Sequence, residues 1–429
     1  MNTARLYKEG SSEIEGLAGP LLFVSDMRGA ACGERVTVET DGRFREGQVL
    51  SVRDDLCVVL LFEGTEGLST GRTTVWLERD AVKTGVGEIL RGQVLSGRGL
   101  PLDGGDLYGA EDFLPVEGLP LNPAVRAVPT AAVETGLSAL DVAAPLMLGQ
   151  KFSLFAPPGL PGLETAARIA GSALIRSGRS LVSGKERTPL VIFVGMGLAE
   201  REEDCFLEFF NREDDAAGGV FLLNRAGDPI GERLLIPRVA LTVAEHFAFR
   251  KGLDVLVVMA DMFRYAQAFW ETTAFGDRRR FDLGSDLAGL CGRSGCLAGR
   301  PGSVTQLLVA ETPADHPFAE LLGRLTEGRI VLDRRLHVRG ISPPIDVLES
   351  RFRISAKAVG RGRTIDAHEA LAARLRSAYA EAREAAGLYR EFTESFEKIF
   401  LDQKARRTFA QSEAAAWEVL NLLPSSEFL

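Results

Sequence analysis

The stretch from Phe152 to Ala170, FSLFAPPGLPGLETAARIA, constrains the fold more than any other part of the chain. Residues 153–156 predict the end of a short buried strand, and residues 157–162 form a loop rich in Gly and Pro. From Leu163 onward, Ala and Ile recur on one face of a predicted helix. A strand, a tight loop and a helix in this order are the architecture of a phosphate-binding loop.

The side chains that carry the chemistry of such a loop are absent. A working loop reads G-x-x-x-x-G-K-[ST], because its glycines let backbone N–H groups close on the phosphates, the Lys reaches the β- and γ-phosphates, and the hydroxyl holds Mg²⁺. Ala156 and Pro161 stand where the two glycines belong, with Gly159 between them. Gly162 replaces the Lys, and Leu163 replaces the hydroxyl residue. The stretch by itself is either a phosphate loop that has lost its function or an ordinary turn between a strand and a helix.

Composition sets the outer limits. The chain has 429 residues, 45% of them hydrophobic and 25% charged, so it is long enough for two or three domains with sizeable cores. Its net charge of −9 argues against a nucleic-acid partner, because phosphate binding needs a basic surface. No basic segment followed by an apolar one opens the chain, and no apolar run reaches the roughly 20 residues that span a bilayer. We therefore expect a cytoplasmic protein.

The cysteines indicate neither disulfides nor a metal centre. They are five in number and scattered, which is typical of reduced thiols in a cytosolic protein. Cys291 and Cys296 are the one close pair, but no His lies near them. No metal site is predicted.

Short β-rich runs fill the first part of the chain, between Pro20 and Glu78. Asp41-Gly42 between two of them is a strong hairpin signal. Five or six closely spaced strands predict a small closed barrel, and we assign it to residues 1–78. Residues 86–130, called the connection below, are rich in Gly and Pro and predict little helix.

From Thr135 the pattern changes to continuous apolar runs separated by helical stretches. The runs lie at residues 153–156, 190–194, 220–224, 254–261, 304–310 and 329–332. Continuous apolar strands alternating with helices predict a parallel sheet covered on both faces. We assign a central α/β domain of the P-loop NTPase type to residues 79–358.

The last part of the chain predicts helices only. Leu371, Leu375, Tyr379 and Ala382 recur at helical spacing, which predicts a packed helical bundle over residues 359–429. The predicted fold class is therefore a multidomain α/β protein with an N-terminal small β-barrel, a central parallel α/β domain and a C-terminal helical bundle.

Asp261 is a candidate for the acidic residue that reaches the Mg²⁺ of a bound nucleotide. It directly follows the apolar run DVLVVMA, at the carboxyl end of a predicted strand. Many strands end in a polar residue, so the position alone is weak. The order of the parts strengthens it, because the loop comes first, then the strand LVIFVGMG, then this strand.

A series of phrases spans the chain in a fixed order. They are FEGTEGL (62–68), GRGLPLDGG (97–105), LPLNP (119–123), TGLSALD (135–141), GQKFSLF (149–155), GLPGLETAARIA (159–170), FVGMG (193–197), IPRVALTVAEHFAF (236–249), GSVTQ (302–306), LTEGRIVLDRRLH (325–337) and GISPPIDVLES (340–350). Through them the chain resembles the B subunit of the vacuolar/archaeal-type rotary ATPases, from about residue 20 to the end.

The resemblance implies a non-catalytic, regulatory subunit. Such B subunits alternate with catalytic A subunits in a heterohexamer, meet central and peripheral stalk subunits, and couple ATP synthesis or hydrolysis to proton or sodium transport. It implies a cytoplasmic location, peripheral on the cell membrane through the complex. It also implies that this chain alone holds no cofactor, with ATP or ADP and Mg²⁺ bound at the interface with the catalytic partner.

The resemblance accounts for two losses. B subunits of this family lack the working phosphate loop that their A partners keep. Catalytic subunits carry a Gly-Glu segment on the next strand, whose carboxylate polarises the attacking water, and Leu198 occupies that position here. A leucine cannot activate water. We therefore predict weak or no nucleotide binding, since Lys151, before the strand, cannot replace a loop Lys.

The resemblance also implies one remaining chemical role, that of an arginine finger. The Arg after the PPIDVLPS-like phrase aligns with Arg353, which would project into the neighbouring catalytic site. A guanidinium supplied in trans stabilises the charge that phosphoryl transfer develops. Arg351 is the rival on sequence alone.

The chain departs from the family between residues 273 and 284, where a longer loop is shortened to TAFGDRRRFDLG. Arg278, Arg279 and Arg280 survive there, either facing an acidic stalk surface or as a solvated charge run. The glutamate of the family's YERAGR phrase is also missing at residues 291–293. Two alternatives therefore stay open, a self-sufficient hexameric P-loop ATPase of the export type and a structural paralogue that has lost rotary coupling.

Overall fold

The first part of the chain folds into a β-barrel. The structure is a computed structural model and describes residues 9–105, 107–176, 187–210, 219–275, 282–353, 357–360, 363–384 and 389–423. Strands β1 to β7 are Gly10–Ser11, Ile14–Ala18, Leu21–Ser25, Glu34–Thr40, Arg43–Arg53, Leu56–Leu61 and Thr73–Ala81. Their order is β1-β7-β4-β5-β6-β3-β2. The two ends of this order follow each other in the chain, so the sheet curls around one apolar core that includes Val36, Val59 and Val75.

The barrel confirms the five predicted strands and contains two more. All five runs between Pro20 and Glu78 are strands, and Asp41-Gly42 joins two of them, with both residues at positive φ (48° and 75°) as a tight hairpin turn requires. Gly10–Ser11 and Ile14–Ala18 lie before that stretch and are two further strands that the sequence did not predict. Their sequence, GSSEIEGLA, lacks the β-branched alternation that signals a strand. The last barrel strand runs past residue 78 to Ala81, and the predicted domain boundaries stay predictions.

The connection carries little helix, as predicted. Beside two short 3₁₀ turns, Glu88–Leu90 and Pro123–Val125, its neighbourhood contributes strands β8 to β11, which are Lys83–Val86, Val94–Ser96, Asp112–Pro115 and Arg126–Ala127. Strand β8 pairs with β10, while β9 pairs with β17 and forms an edge strand of the central sheet. The connection is therefore built into the next domain.

The central domain is a mainly parallel sheet. Strands β12 to β22 are Ala132–Glu134, Leu146–Met147, Lys151–Phe155, Leu174–Arg176, Leu190–Leu198, Val220–Arg225, Asp254–Ala260, Gly295–Leu297, Ser303–Ala310, Gly328–Val331 and Arg351–Phe352. Within the described residues the main order is β22-β21-β14-β20-β18-β16-β17-β9. The pairs from β21 to β9 are parallel, and β22 joins the edge antiparallel. All six predicted apolar runs are strands of this sheet.

Helices cover both faces of the sheet. Helices α1 to α11 are Ser138–Asp141, Gly162–Ser172, Glu200–Phe210, Ile230–Glu245, Met262–Phe275, Leu283–Cys291, Pro317–Leu325, Arg334–Val338, His368–Glu384, Arg390–Ser395 and Phe409–Leu420. Successive strand residues face opposite layers, so Leu154 packs in one core and Phe155 in the other. Ile169 of α2 packs in the first core and Val239 of α4 in the second.

The C-terminal part is helical, as predicted. Leu371, Leu375, Tyr379 and Ala382 are all buried on one face of α9. The ring of Tyr379 stacks on that of Phe396 at a centroid distance of 4.0 Å. These contacts continue the core of the central domain, so the helices pack onto that domain.

Two further sequence predictions concern the basic cluster of the shortened loop and the membrane. Arg278, Arg279 and Arg280 lie outside the described residues, so the basic cluster of the shortened loop stays a prediction. Within the described ranges, no helix has the length and apolar character that crossing a bilayer requires.

Candidate functional site

The predicted site residues around the loop meet at one edge of the sheet. The loop follows β14, Asp261 follows β18 and Glu311 follows β20. These strands are parallel, so their carboxyl ends share an edge, which is where α/β sheets bind ligands. A cleft of about 340 Å³ lies there, lined by Ala156, Gly159, Pro161, Gly162 and Leu163 of the loop together with Asp261 and Glu311. We call it the loop cleft.

Two substitutions in the loop fit each other sterically. Gly162 is the first residue of α2, and a Cβ built on it would lie 2.7 Å from the Cβ of Ala156. That separation is far below a van der Waals contact. Ala156 therefore fills the space that any side chain at position 162, including the Lys of a working loop, would need.

We expect this pair to behave as a coupled unit. Gly162→Ala is expected to destabilise the protein by about 1–3 kcal/mol, because overpacking forces its neighbours to move. The same substitution in an Ala156→Gly background is expected to cost less than about 0.5 kcal/mol beyond the background. Urea unfolding of the four members of the cycle measures this coupling. Equal penalties in both backgrounds would contradict it.

Asp261 is buried and tied to the backbone. Its side chain is 4% exposed, and Oδ1 accepts hydrogen bonds from the N–H groups of Phe263 (2.8 Å) and Glu311 (3.1 Å). Burial raises the pKa of Asp261 to about 6, against the smaller opposing effect of these two bonds. Oδ2 lies 3.8 Å from Nε of Arg264. The carboxylate therefore faces an internal cation.

Arg264 forms a network that the sequence pattern did not predict. Its guanidinium makes two bonds to the carboxylate of Glu202 (2.5 and 2.7 Å) and further bonds to the carbonyl of Gly197 (2.7 Å) and to Glu311 (3.2 Å). Burial opposes ionisation of Glu202, but these bonds and the N–H of Ala199 lower its pKa below the usual value. Glu202 is therefore a paired carboxylate and a poor base. Two signals in the sequence could have indicated it, because Arg264 lies one turn after Asp261 and Glu202 lies one turn after Leu198.

The loop cleft does not fit a Mg²⁺-bound triphosphate. Its lining contains the carboxylates of Glu164, Glu202, Asp261 and Glu311, whereas no Lys or Arg of the described residues lines it. Arg264 already faces three of these groups, those of Glu202, Asp261 and Glu311. The loop offers neither the Lys nor the hydroxyl that a phosphate and its metal need. Arg334, a cation beside the loop, donates to the carbonyl oxygen of Pro158 (2.6 Å).

Leu198 lies where the sequence places it, at the end of β16, but not in the loop cleft. It is 1% exposed and packs in the apolar core against Gly195. An apolar side chain in this core has no access to water in the cleft. The structure thus puts a packing residue at the position where the resemblance implies the carboxylate of a catalytic subunit.

Arg353 lies far from the loop cleft. It follows the short edge strand β22, where Phe352 pairs with Gly328 and is thereby level with Phe152. The loop begins at the other end of β14, roughly 16 Å away at about 3.3 Å per residue. The backbone of Arg353 therefore lies at the end of the sheet opposite the loop.

Arg353 is exposed and makes no ion pair with any described residue. Arg351, two residues earlier, shares its face of the strand and is exposed as well. The two differ in their surroundings, because Arg351 lies near Arg376 of α9, where burial lowers the pKa of the Arg376 guanidinium and the charge of Arg351 lowers it further. Burial does not separate the rivals, and the choice of Arg353 stays a prediction.

The comparisons with known proteins agree with this fold. Residues 14–75 match the β-barrel domain of the ATP synthase alpha/beta family, and residues 136–351 match its nucleotide-binding domain. The chain therefore belongs to the ATP synthase alpha/beta family.

Individual relatives narrow the family further. The V-type ATP synthase beta chains of two strains of Thermus thermophilus are each 38% identical over 448 residues, covering 98% of this chain and 94% of theirs. The solved structure of the ATP synthase subunit NeqB from Nanoarcheaum equitans is similar with a TM-score of 0.70 at 28% identity, covering 94% of this chain and 100% of that one. These findings confirm the resemblance to a V-type B subunit.

Proposed function

We propose that the chain is the non-catalytic, regulatory B subunit of a V/A-type rotary ATPase or ATP synthase. It alternates with catalytic A subunits in a heterohexamer, contacts the stalk subunits and reaches the membrane only through the complex. ATP or ADP and Mg²⁺ bind in the neighbouring catalytic site, to which this chain supplies Arg353. The complex couples ATP synthesis or hydrolysis to transport of protons or sodium ions.

The position of Arg353 carries this proposal. An exposed guanidinium without an ion pair to any described residue, at the sheet end opposite the chain's own loop, is suited to act on a second subunit. Phosphoryl transfer spreads negative charge over the γ-phosphoryl oxygens, and a guanidinium needs neither a base nor a metal of its own to stabilise that charge.

The loop cleft supports the non-catalytic part of the proposal. It combines a missing Lys, an acidic lining and a Glu202 carboxylate already bound by Arg264. A self-sufficient export-type ATPase would need the opposite, namely a basic phosphate cradle and a free carboxylate. We therefore expect independent hydrolysis to be absent.

Co-assembly tests the proposal directly. The purified chain is expected to show no ATP hydrolysis above background and no sub-micromolar ATP binding by calorimetry. Mixed with a catalytic V-type A subunit, it is expected to form an alternating complex whose ATPase activity far exceeds that of either chain. Hydrolysis by the isolated chain, or failure of the two chains to assemble, would contradict the proposal.

A further inference from the structure

The strand that ends at Arg353 is too short to hold itself in place. Strand β22 contains only Arg351 and Phe352, and it lies at the edge of the sheet with one neighbour, β21. A two-residue edge strand has little intrinsic stability. The orientation of Arg353 therefore depends on what else binds its backbone.

Both backbone polar groups of Arg353 are held by other parts of the chain. Its N–H donates to the carbonyl oxygen of Glu327 at 2.9 Å. Its carbonyl oxygen accepts from Nε2 of Gln150 at 3.2 Å, across 203 residues of sequence. The backbone of Arg353 is thus held by hydrogen bonds on both sides of its Cα atom.

Glu327, which accepts the first of these bonds, is itself hydrogen-bonded to Lys151. The carboxylate of Glu327 accepts from the N–H of Lys151 (2.8 Å) and from its Nζ (2.6 Å). The N–H of Glu327 in turn donates to the carbonyl oxygen of Lys151 at 2.9 Å. Gln150 and Lys151, at the start of β14, therefore both contribute to the support of Arg353.

Gln150 is an unusual choice on packing grounds. It is 7% exposed, and its Oε1 has no hydrogen-bond partner among the described atoms. A buried amide with one unpaired oxygen costs stability, which an apolar side chain of similar length would avoid. Its one side-chain hydrogen bond in the described structure is the bond to Arg353. A function for that bond explains why an amide stands there.

The ring of Phe352 occupies the space that a side chain at Gly328 would need. A Cβ on Gly328 would lie 2.3 Å from Cδ1 of Phe352, and the Phe352 ring packs on Phe152 at a centroid distance of 5.3 Å. Any side chain at position 328 would therefore displace the residue that precedes Arg353.

We propose that Gln150 is a positioning residue for Arg353 and that Gly328 provides the seat for the same strand end. The proposal rests on the function proposed above for Arg353. A guanidinium that acts across an interface must lie within about 1 Å of its working position, because such a misplacement costs up to about 100-fold in rate.

Gln150→Met removes the amide but keeps an unbranched side chain of similar length. In the complex reassembled with the catalytic A subunit, we expect kcat for ATP hydrolysis to fall about 10- to 100-fold, with KM for ATP unchanged within about two-fold. The reason is that the finger acts in the transition state and not on bound ATP. Gln306→Met is the matched control, because Gln306 is also buried and has an unpaired Oε1, while its side chain donates to the carbonyl oxygen of Leu290 and not to Arg353. Its kcat is expected to stay near that of the wild type.

A double-mutant cycle with Arg353→Ala completes the test. If Gln150 acts only through Arg353, the double variant will be as slow as Arg353→Ala alone. Additive losses, or a Gln150→Met complex with wild-type kcat, would overturn the inference while leaving a slow Arg353→Ala complex, and hence the proposed function, intact. A fully active Arg353→Ala complex would instead remove the proposed function itself. Should Gln150→Met fail to fold, Gly328→Ala attacks the same strand end and is expected to lower kcat in the same way.

Discussion

Arg353→Ala, in the complex reassembled with a catalytic A subunit, is expected to lower kcat for ATP hydrolysis by about 10³-fold or more. The guanidinium is exposed and makes no ion pair with a described residue, so its removal leaves no buried charge uncompensated. Assembly and thermal stability should therefore be unchanged. Steady-state ATPase assays with size-exclusion chromatography of the same samples separate the two effects.

Two further variants sharpen this result. Arg353→Lys keeps the charge but loses the planar fork of donors, so it is expected to remain slow. Arg351→Ala removes the neighbouring cation on the same face of the strand and is expected to retain most of the activity. If Arg351→Ala is the slow variant and Arg353→Ala the fast one, the finger has been assigned to the wrong arginine. If both are fast, this strand supplies no finger.

Arg293→Met is expected to lower the free energy of unfolding by about 3–5 kcal/mol. The Arg293 side chain is 2% exposed and makes two bonds of 2.7 Å to the carboxylate of Glu245. It also donates to the carbonyl oxygen of Val116 (3.0 Å) and to Oγ1 of Thr242 (2.9 Å). Its loss would remove the hydrogen bonds that Val116 and Thr242 accept and would leave the carboxylate of Glu245 without its counter-ion.

Arg293 links two parts of the fold. Val116 belongs to the connection, whereas Glu245 and Thr242 belong to α4, so Arg293 fastens the connection to the central domain. Urea unfolding of the full chain measures the change, with Arg300→Met, at an exposed Arg of the same segment, as the control. A loss smaller than about 0.5 kcal/mol, the size of an ordinary surface substitution, would contradict the prediction.

Arg293 also revises how a departure from the family is interpreted. From sequence, the replacement of the family's glutamate at residues 291–293 counted only as a loss that put rotor coupling in doubt. In the structure the segment contributes a buried guanidinium that joins three parts of the fold. Sequence reasoning missed this role because its partners lie at positions 116, 242 and 245 and share no local pattern with it.

The sequence by itself determined the architecture and showed that the side chains of a working phosphate loop are missing. The five barrel strands between Pro20 and Glu78, the six continuous apolar strands of the parallel sheet and the buried face of α9 follow from local patterns of apolar residues along the chain. The missing Lys and hydroxyl at Gly162 and Leu163 are also visible residue by residue. The sequence did not predict the first two strands, because the segment GSSEIEGLA forms strands through its tertiary contacts and not through its β-propensity.

Only the tertiary structure decided which distant polar and charged groups bind each other. The bonds of Arg264 to Glu202, of Gln150 to the Arg353 backbone and of Arg293 to Glu245 join residues that are far apart in sequence. Such contacts depend on how the strands are ordered in the sheet and on which loops reach the same edge, and no periodicity encodes that. Arg353 lies at the opposite end of β14 from the loop because β22 pairs antiparallel with β21, which is itself parallel to β14, so the carboxyl end of β22 meets the amino end of β14.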